Sequence, residues 1–386
     1  MFLRVKLLLI LILSWCYSCM LSAQNKGFEL VNFTADDGLS QNSIYTIART
    51  AEGFMWFGTN DGLNRFDGTN FQHFKITTDD SITRSNVVLS LWPYHDGLLV
   101  GTDQELLFFN PKTAIYSHVT KVLPGLDVAD KMGIKYLFKD SKNNIWILTI
   151  DHGILKYNPM MNSTSHFFQD KDVRSKVTGI TECNGNIYVS TEQSFFQFNS
   201  TFEQVNITYP SKDINMRVLS VVKDKLWLAI NGIGILIYDP KSETVQDFKD
   251  IYKGSQYPKD VTYIYPEDNT VWVGTRSMGL LKIDTDGLNF FSYKAGDSRN
   301  SLGRDFVLSI FGDNQDRIWV GQSGGGVARL TEINTIMELF RPSGRDGSNM
   351  QDPMVLGMLD AKNDTYYFGT LYGGLLFYED VYKRQL

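Results

Sequence analysis

One pattern recurs along the chain and limits its possible folds more than any other feature. In the first copy, Phe54–Gly68, an aromatic residue between apolar neighbours precedes Gly-Thr, a polar turn, Gly-Leu and an alternating apolar run. At intervals of 39 to 48 residues, the aromatic position is filled by Trp56, Leu99, Trp146, Tyr188, Trp227, Trp272, Trp319 and Tyr367. A repeat of this length is typical of the four-stranded blades of a β-propeller.

The local pattern favours strands over helical repeats of similar period. In Val271–Ile283, two short runs rich in β-branched and aromatic residues flank a turn that contains glycine. No amphipathic helix of about ten residues or more fits this stretch. Each unit would form a sheet with an apolar face that it cannot bury alone, so the units are expected to stack in a ring.

The first strand is expected to close that ring. Phe28–Phe33 alternates like a strand but precedes the first blade, so we predict that it pairs with the last blade as an outer strand. Seven repeats are complete near Phe340, and an eighth begins at Met354 and stops at Glu379 without an outer strand. Two arrangements remain open: an eight-bladed ring, or a seven-bladed ring followed by the start of a second propeller.

The predicted fold class is therefore an all-β propeller of four-stranded blades, seven-bladed, with the start of a further blade or second propeller at the C-terminus. The predicted domains are a signal peptide (1–23), a seven-repeat propeller (24–345), an incomplete eighth repeat (346–379) and a non-native tail (380–386). The tail breaks the repeat pattern and matches a translated sequencing-library adapter.

The first residues have the pattern of a secretory signal. Arg4 and Lys6 precede an apolar run, and small residues follow it as far as Ala23, where we predict cleavage. The run is shorter than the roughly 20 residues that a membrane-spanning helix needs. An uncleaved anchor and lipidation at Cys19 are the alternatives. After cleavage Cys183 is the only cysteine, so no disulfide forms within the chain.

Charge and residue spacing argue against several classes of function. The net charge is −6 with acids and bases interspersed, so the sequence offers no basic face for nucleic acid. The five histidines have no metal-ligand spacing, and we predict no metal, no cofactor and no catalytic residue.

Three motifs resemble functional sites but are better explained as turns. Asp313–Asp316 lacks the glycine and terminal glutamate of a calcium loop. Ser323–Gly326 is not followed by the Lys-Ser or Lys-Thr of a phosphate loop. The acid pairs 36–37 and 79–80 occupy equivalent loops between blades, which predicts capping rather than the paired carboxylates of a glycosidase. The recurring tryptophans are predicted to pack in the core.

A ligand would contact the face where the second-to-third-strand turns and the loops between blades lie together. In the turns, the candidate residues are Asn60, Asp61, Asp103, Glu105, His152, Glu192, Asn231, Arg276 and Tyr372. In the loops, they are Arg84, Arg174, Lys212 and Arg304. Arg276 and Arg304 are hypothesised to bind the carboxylate or sulfate of an acidic sugar, because guanidinium groups pair well with planar or trigonal anions.

The run Leu39–Gly68 resembles the start of the periplasmic region of Bacteroidetes hybrid two-component sensors. The later copies Ile145–Pro159 and Val271–Asp284 are similar to the two-component regulator propeller repeats of that family. The resemblance covers about residues 28–379. Blade two, with Leu98 and Leu99 in place of the aromatic, departs from the pattern, as does blade seven, with Gly-Gln in place of Gly-Thr.

The resemblance implies a function. In that family two seven-bladed propellers precede a β-sandwich, a membrane helix, a histidine kinase, a receiver and a DNA-binding output domain, and none of these later parts occurs in this sequence. It implies a homodimeric, periplasmic sensor for oligosaccharides that regulates utilisation genes, with membrane contact only through a missing C-terminal helix. The alternatives are an exported propeller hydrolase or lyase and a protein-binding scaffold.

Overall fold

A computed structural model describes most of the chain. The described residues are 27–76, 85–128, 131–169, 176–199, 201–205, 215–252, 257–285, 290–296, 300–313, 315–333, 355–360, 365–370 and 375–379. The predicted signal peptide and the predicted tail lie outside them. The chain divides into a large unit, Phe28–Glu332, and a second unit that contains Ile333–Leu386.

The large unit is a seven-bladed β-propeller of four-stranded antiparallel blades. Blade one contains β2 to β5 (Thr46–Arg49, Met55–Thr59, Gly62–Phe66, Phe71–Phe74), and blade two contains β6 to β9 (Val88–Tyr94, Gly97–Thr102, Leu106–Asn110, Ile115–His118). Blade three contains β10 to β13 (Ile134–Lys139, Ile145–Thr149, Ile154–Asn158, Ser163–Phe167), and blade four contains β14 to β17 (Val177–Cys183, Asn186–Thr191, Phe195–Phe198, Phe202–Val205). Blade five contains β18 to β21 (Met216–Val222, Lys225–Ile230, Gly234–Asp239, Thr244–Asp247), and blade six contains β22 to β25 (Val261–Glu267, Thr270–Thr275, Leu280–Asp284, Phe290–Tyr293). Blade seven contains β26 to β28 (Val307–Gly312, Arg317–Gln322, Val327–Ile333).

The first strands of successive blades lie side by side and surround the ring axis. The remaining strands follow outward in chain order within each sheet. In the described part of the chain, helix is limited to two 3-10 turns, Ala35–Asp37 and Val119–Lys121, and one short helix, α1 (Phe248–Ile251). No helix among the described residues is both long enough and apolar enough to cross a membrane.

The N-terminal strand closes the ring. β1 (Gly27–Phe33) pairs with β28 and becomes the outer strand of blade seven. At the same junction the amide of Ile44 donates to the carbonyl of Gln322 at 3.1 Å, and the Ser309 hydroxyl donates to the carbonyl of Ile44 at 3.1 Å. The predicted closure and the seven-bladed ring are thus confirmed, and the eight-bladed alternative is wrong.

The recurring aromatic position is the centre of each blade interface. Trp56, Trp146, Trp272 and Trp319 are each at most 1% exposed, which confirms the prediction that they pack in the core. Two of them are also held by a buried aspartate in the turn between first and second strands. The indole Nε1 of Trp146 donates to Asp140 at 2.8 Å, and that of Trp319 donates to Asp313 at 2.9 Å.

The glycine of the Gly-Thr pair lets neighbouring blades approach each other. A Cβ at Gly58 would lie 2.6 Å from Val88 Cγ1, and a Cβ at Gly274 would lie 2.6 Å from Val307 Cγ1. Each of these valines begins the first strand of the next blade. The repeated glycine is therefore a packing requirement, because a side chain there would push adjacent blades apart.

The second unit contains a sheet of three strands. β29 (Val355–Asp360), β30 (Thr365–Thr370) and β31 (Leu375–Glu379) pair in that order and are antiparallel. They correspond to the inner three strands of a blade. Its first strand carries the same register shift as the first strands of the ring, here between Val355 and Gly357.

The indole hydrogen bond to Asp313 yields a stability prediction. Trp319→Phe keeps an aromatic ring but leaves this buried carboxylate without one donor, and hydrogen bonds to charged groups are each worth about 1.5–3 kcal/mol. Trp227→Phe is the matched control, because no described carboxylate accepts from its indole. Chemical denaturation should show Trp319→Phe to be the more destabilising by about this amount; equal losses would contradict the assigned role of Asp313.

Candidate functional site

The second-to-third-strand turns and the segments that precede each first strand lie on one face, which we call the entry face. Backbone hydrogen bonds join them between blades. The amide of Gly62 in blade one donates to the carbonyl of Asn86, just before blade two, at 2.7 Å. The amide of Gly232 in blade five donates to the carbonyl of Lys259, just before blade six, at 2.8 Å. The predicted shared face is therefore confirmed.

A buried threonine holds most of these turns. Its hydroxyl donates to a carbonyl just before or at the start of the third strand and accepts an amide from within the turn. For Thr275 the acceptor is Gly279 O and the donor is Met278 N, both at 2.8 Å. The equivalent threonines are Thr59, Thr102, Thr149 and Thr191. The backbone of the face is thus constant, whereas the exposed side chains on it differ from blade to blade.

Blade seven departs from this pattern as the sequence indicates. Gln322 replaces the threonine, is fully buried, and accepts the amide of Arg304 through Oε1 at 2.7 Å. Its Nε2 has no hydrogen-bond partner among the described residues. The side chain therefore ties the turn of blade seven to the loop before its first strand.

The predicted ligand-binding residues that the structure describes lie in the turns and loops of different blades. The carboxylate of Asp61 lies 3.6 Å from the amine of Lys75 and 3.8 Å from His73 Nε2, so it points to the outer strand of blade one. His152 Nδ1 lies 2.6 Å from the carboxylate of Asp151 in the turn of blade three. In exposed or partly exposed turns lie Asn60, Asp103, Glu105 and Asn231.

Arg276 and Arg304 belong to one patch between blades six and seven. The guanidinium of Arg276 lies 5.0 Å from the ring centroid of Phe306, two residues after Arg304. Both arginines lie on the entry face, as the sequence predicts. Outside the described residues are Arg84, Arg174, Lys212 and Tyr372.

The first strands form a second, unpredicted feature at the mouth of the central channel. Six of the first strands carry a register shift at their second residue. In blade one the equivalent residue is Tyr45, because its amide donates to the carbonyl of Gly58, the strand partner of the next residue, Thr46, at 2.9 Å. These seven positions, which we call the bulge ring, are Tyr45, Leu89, Lys135, Thr178, Arg217, Thr262 and Leu308. Such bulges redirect side chains and recur near functional sites.

Two members of the bulge ring reach the first strand of the next blade. The Lys135 amine donates to the carbonyl of Val177 at 2.9 Å, and the Thr262 hydroxyl donates to the carbonyl of Val307 at 2.7 Å. Burial of the amine lowers the pKa of Lys135, the Arg217 guanidinium lowers it further, and Glu192 acts in the opposite direction. Lys135 and Arg217 occupy equivalent positions on the first strands on either side of blade four.

Sequence reasoning missed the bulge ring although a signal exists. Each of its members stands 10 or 11 residues before the recurring aromatic position of its blade. Because the shift in register cannot be read from hydrophobic alternation, the sequence alone does not indicate that these particular residues surround the channel.

The motifs that resembled other sites have structural roles. Asp313 is 1% exposed and holds Trp319 and the Arg317 guanidinium, the latter at 2.6 Å. Asp37 caps the 3-10 turn by accepting the amide of Thr34 at 2.8 Å, so capping is confirmed for this acid pair; residues 79 and 80 lie outside the described residues. Within the described part of the chain, no three His, Cys, Asp or Glu side chains are placed to hold a metal.

Comparison with known proteins supports the predicted similarity of the repeat to two-component regulator propellers. Residues 38–61 match the family model described as two component regulator propeller. The matched stretch includes the first two strands of blade one. Histidine kinase P4 of Formosa agariphila is 45% identical to this chain over 65 residues, which are 17% of this chain and 5% of the kinase.

This chain also resembles solved structures, which show its fold. The extracellular domain of BT3049 from B. thetaiotaomicron, described as a hybrid two component system, aligns at a TM-score of 0.66 and 20% identity. The alignment covers 92% of this chain and 48% of that one, so this chain spans about half its length. Virginiamycin B lyase from Staphylococcus aureus aligns at a TM-score of 0.56 and 12% identity over 80% of this chain and 99% of the lyase.

The threonine of the turns yields a second prediction. Thr275→Val keeps the shape but leaves the amide of Met278 without its acceptor, at a cost of about 1–3 kcal/mol. Thr275→Ser is the control, because it retains the hydroxyl. Hydrogen exchange should show faster exchange of the Met278 amide in the valine variant only, and unchanged exchange would mean that the hydroxyl does not hold the turn.

Proposed function

We propose that this propeller is the extracytoplasmic, ligand-sensing region of a hybrid two-component sensor histidine kinase. Its ligand would be an oligosaccharide released from polysaccharide breakdown, and its output the transcription of utilisation genes. The observation that carries the proposal is the regulator repeat in the first blade, together with the 45% identity to a histidine kinase over 65 residues. The likeness to extracellular domains supports the fold on which it rests.

The entry face supports a binding role. Its turns are fixed by buried hydroxyls such as that of Thr149, and they present exposed side chains that differ in charge and size between blades. A constant framework with variable polar side chains suits recognition of a polar ligand, because specificity can change without loss of the fold. We therefore assign the region no catalytic residue.

The two alternative functions, an enzyme and a protein-binding scaffold, require different features of the structure. A propeller hydrolase or lyase is compatible with the fold, since virginiamycin B lyase shares it, but such an enzyme needs a set of acid-base groups converging on the ligand. The acidic residues that the sequence pairs at 36–37 are engaged in capping instead. A scaffold that binds another protein remains a distinct outcome of the tests below.

Signalling would follow from dimerisation of the intact sensor. A ligand can shift the balance between two arrangements of a dimer only if it binds them with different affinities. In this proposal the signal peptide directs the propeller to the periplasm, the eighth repeat begins a second propeller, and the membrane is reached only by a helix beyond the present sequence.

Ligand binding should raise the melting temperature of the exported chain. A saccharide present at about 100 times its dissociation constant adds about 2.7 kcal/mol to the free energy of unfolding. A panel of defined oligosaccharides should give a selective shift, with the sugar recovered intact. Shortened sugar would instead support the enzyme, and the absence of any shift would favour a protein partner.

The arginine patch allows a separate test of where the ligand binds. Arg276→Ala with Arg304→Ala should weaken binding of an acidic oligosaccharide by about tenfold or more, since each lost charge-assisted hydrogen bond costs about 1.5–3 kcal/mol. Calorimetric titration measures this change, with Lys112→Ala as a control on the loop between the outer two strands of blade two. Unchanged affinity in the double variant would exclude the patch as the anion site.

A further inference from the structure

Two cations flank a threonine on three consecutive blades at the mouth of the channel, and the hydroxyl of that threonine bonds the Ser190 hydroxyl at 2.9 Å. Lys135 in blade three, Thr178 in blade four and Arg217 in blade five are equivalent members of the bulge ring. The Lys135 amine bonds the carbonyl of Val177, the residue before Thr178, at 2.9 Å. The three side chains therefore begin from adjacent positions around the ring axis.

The turn of blade four joins the segment before the first strand of blade four to the start of the first strand of blade five. The amide of Glu192 donates to the carbonyl of Lys176 at 2.9 Å, and its carbonyl accepts the amide of Met216, next to Arg217, at 3.0 Å. The Glu192 carboxylate is close enough to influence Lys135. Among the described residues, however, no ion pair within 4.0 Å involves Lys135, Arg217 or Glu192.

The structural role of Lys135 does not explain its charge. Thr262 makes the equivalent bond to the next blade with a neutral hydroxyl, at 2.7 Å. A cation at this position is therefore not needed to join the blades. Instead, the positive charge of Lys135 is repelled by that of Arg217. An anion bound between the two groups would remove this electrostatic cost.

A tyrosine pair lies beside the cations. Tyr136 follows Lys135 in the first strand of blade three and is 40% exposed. Tyr263 holds the equivalent place after the bulge in blade six; burial raises its pKa, and the Tyr136 phenol raises it further. The mouth of the channel thus combines positive charge with an aromatic ring on which a sugar could stack.

We propose that the mouth of the channel binds the acidic group of a saccharide. Lys135 and Arg217 donate to its carboxylate or sulfate, and the sugar ring packs against Tyr136. The inference rests on the proposed sensing function and narrows its ligand to an anionic sugar. It assigns one acidic group to blades three to five, in addition to the acidic group assigned to the arginine patch between blades six and seven.

Calorimetry on the exported chain tests the site with three probes at constant ionic strength. The probes are trigalacturonate, the neutral trisaccharide galactotriose, and sodium sulfate. We expect trigalacturonate to bind, and Lys135→Gln and Arg217→Gln each to weaken it about tenfold or more. Arg217→Lys should retain most of the affinity because it keeps the charge. Lys139→Gln, at the opposite end of β10 and with the same change in charge, should have no effect.

Tyr136→Ser distinguishes a sugar site from a simple anion site. It should weaken trigalacturonate but leave any sulfate binding unchanged. Binding of sulfate without trigalacturonate would overturn the saccharide assignment, and an equal loss in Lys139→Gln would show nonspecific attraction and overturn the site. If galactotriose binds and trigalacturonate does not, the acidic site is wrong while the sensing function stands. If no saccharide in the wider panel binds, the sensing function itself fails.

Protection of Lys135 provides an independent readout. Mild acylation of surface amines followed by peptide mass spectrometry reports the reactivity of each lysine. Trigalacturonate should protect Lys135 selectively, with Lys139 modified equally in its presence and absence. Equal modification of Lys135 with and without the sugar, at a concentration that saturates the calorimetric signal, would place the ligand elsewhere.

Discussion

The structure depends on one constraint, which is that no blade can bury its own apolar faces. Each sheet carries an indole or an equivalent large side chain at its centre, and only the neighbouring blade can cover it. Every local feature of the repeat serves that contact. The glycine before the threonine lets the next first strand approach, and the aspartate of the first turn fixes the indole in blades three and seven.

The same constraint separates stability from recognition. Interactions between blades use the second strands and the aromatic positions, whereas the turns of the entry face contribute side chains that the packing does not require. A propeller can therefore vary these turns with little effect on the core. Blade seven is an example of such variation. Gln322 replaces the usual threonine there and holds its turn through a different contact, in which its side chain accepts the amide of Arg304.

The repeat, the blade type, the closing strand and the shared face of turns and loops could be predicted from the sequence, because spacing and alternation encode them. The bulge ring could not be predicted, since a one-residue shift in register leaves the hydrophobic pattern almost unchanged. The directions of individual side chains could not be predicted from the sequence either. Asp61 lies in the predicted turn, but its carboxylate is held by Lys75 on the outer strand, a contact that depends on how the third and fourth strands pair.

The closing strand has a consequence for biogenesis. β1 leaves the ribosome before every other strand of the ring, yet its partner β28 lies about 300 residues later in the chain. Until that partner arrives, blade seven lacks its outer strand and Phe33 lacks the indole of Trp319 on which it stacks at 6.1 Å. Pairing over such a distance is slow, and an unpaired apolar strand is prone to misassociation. The completed circle therefore depends on its earliest segment being kept apart from other strands until synthesis of the ring has ended.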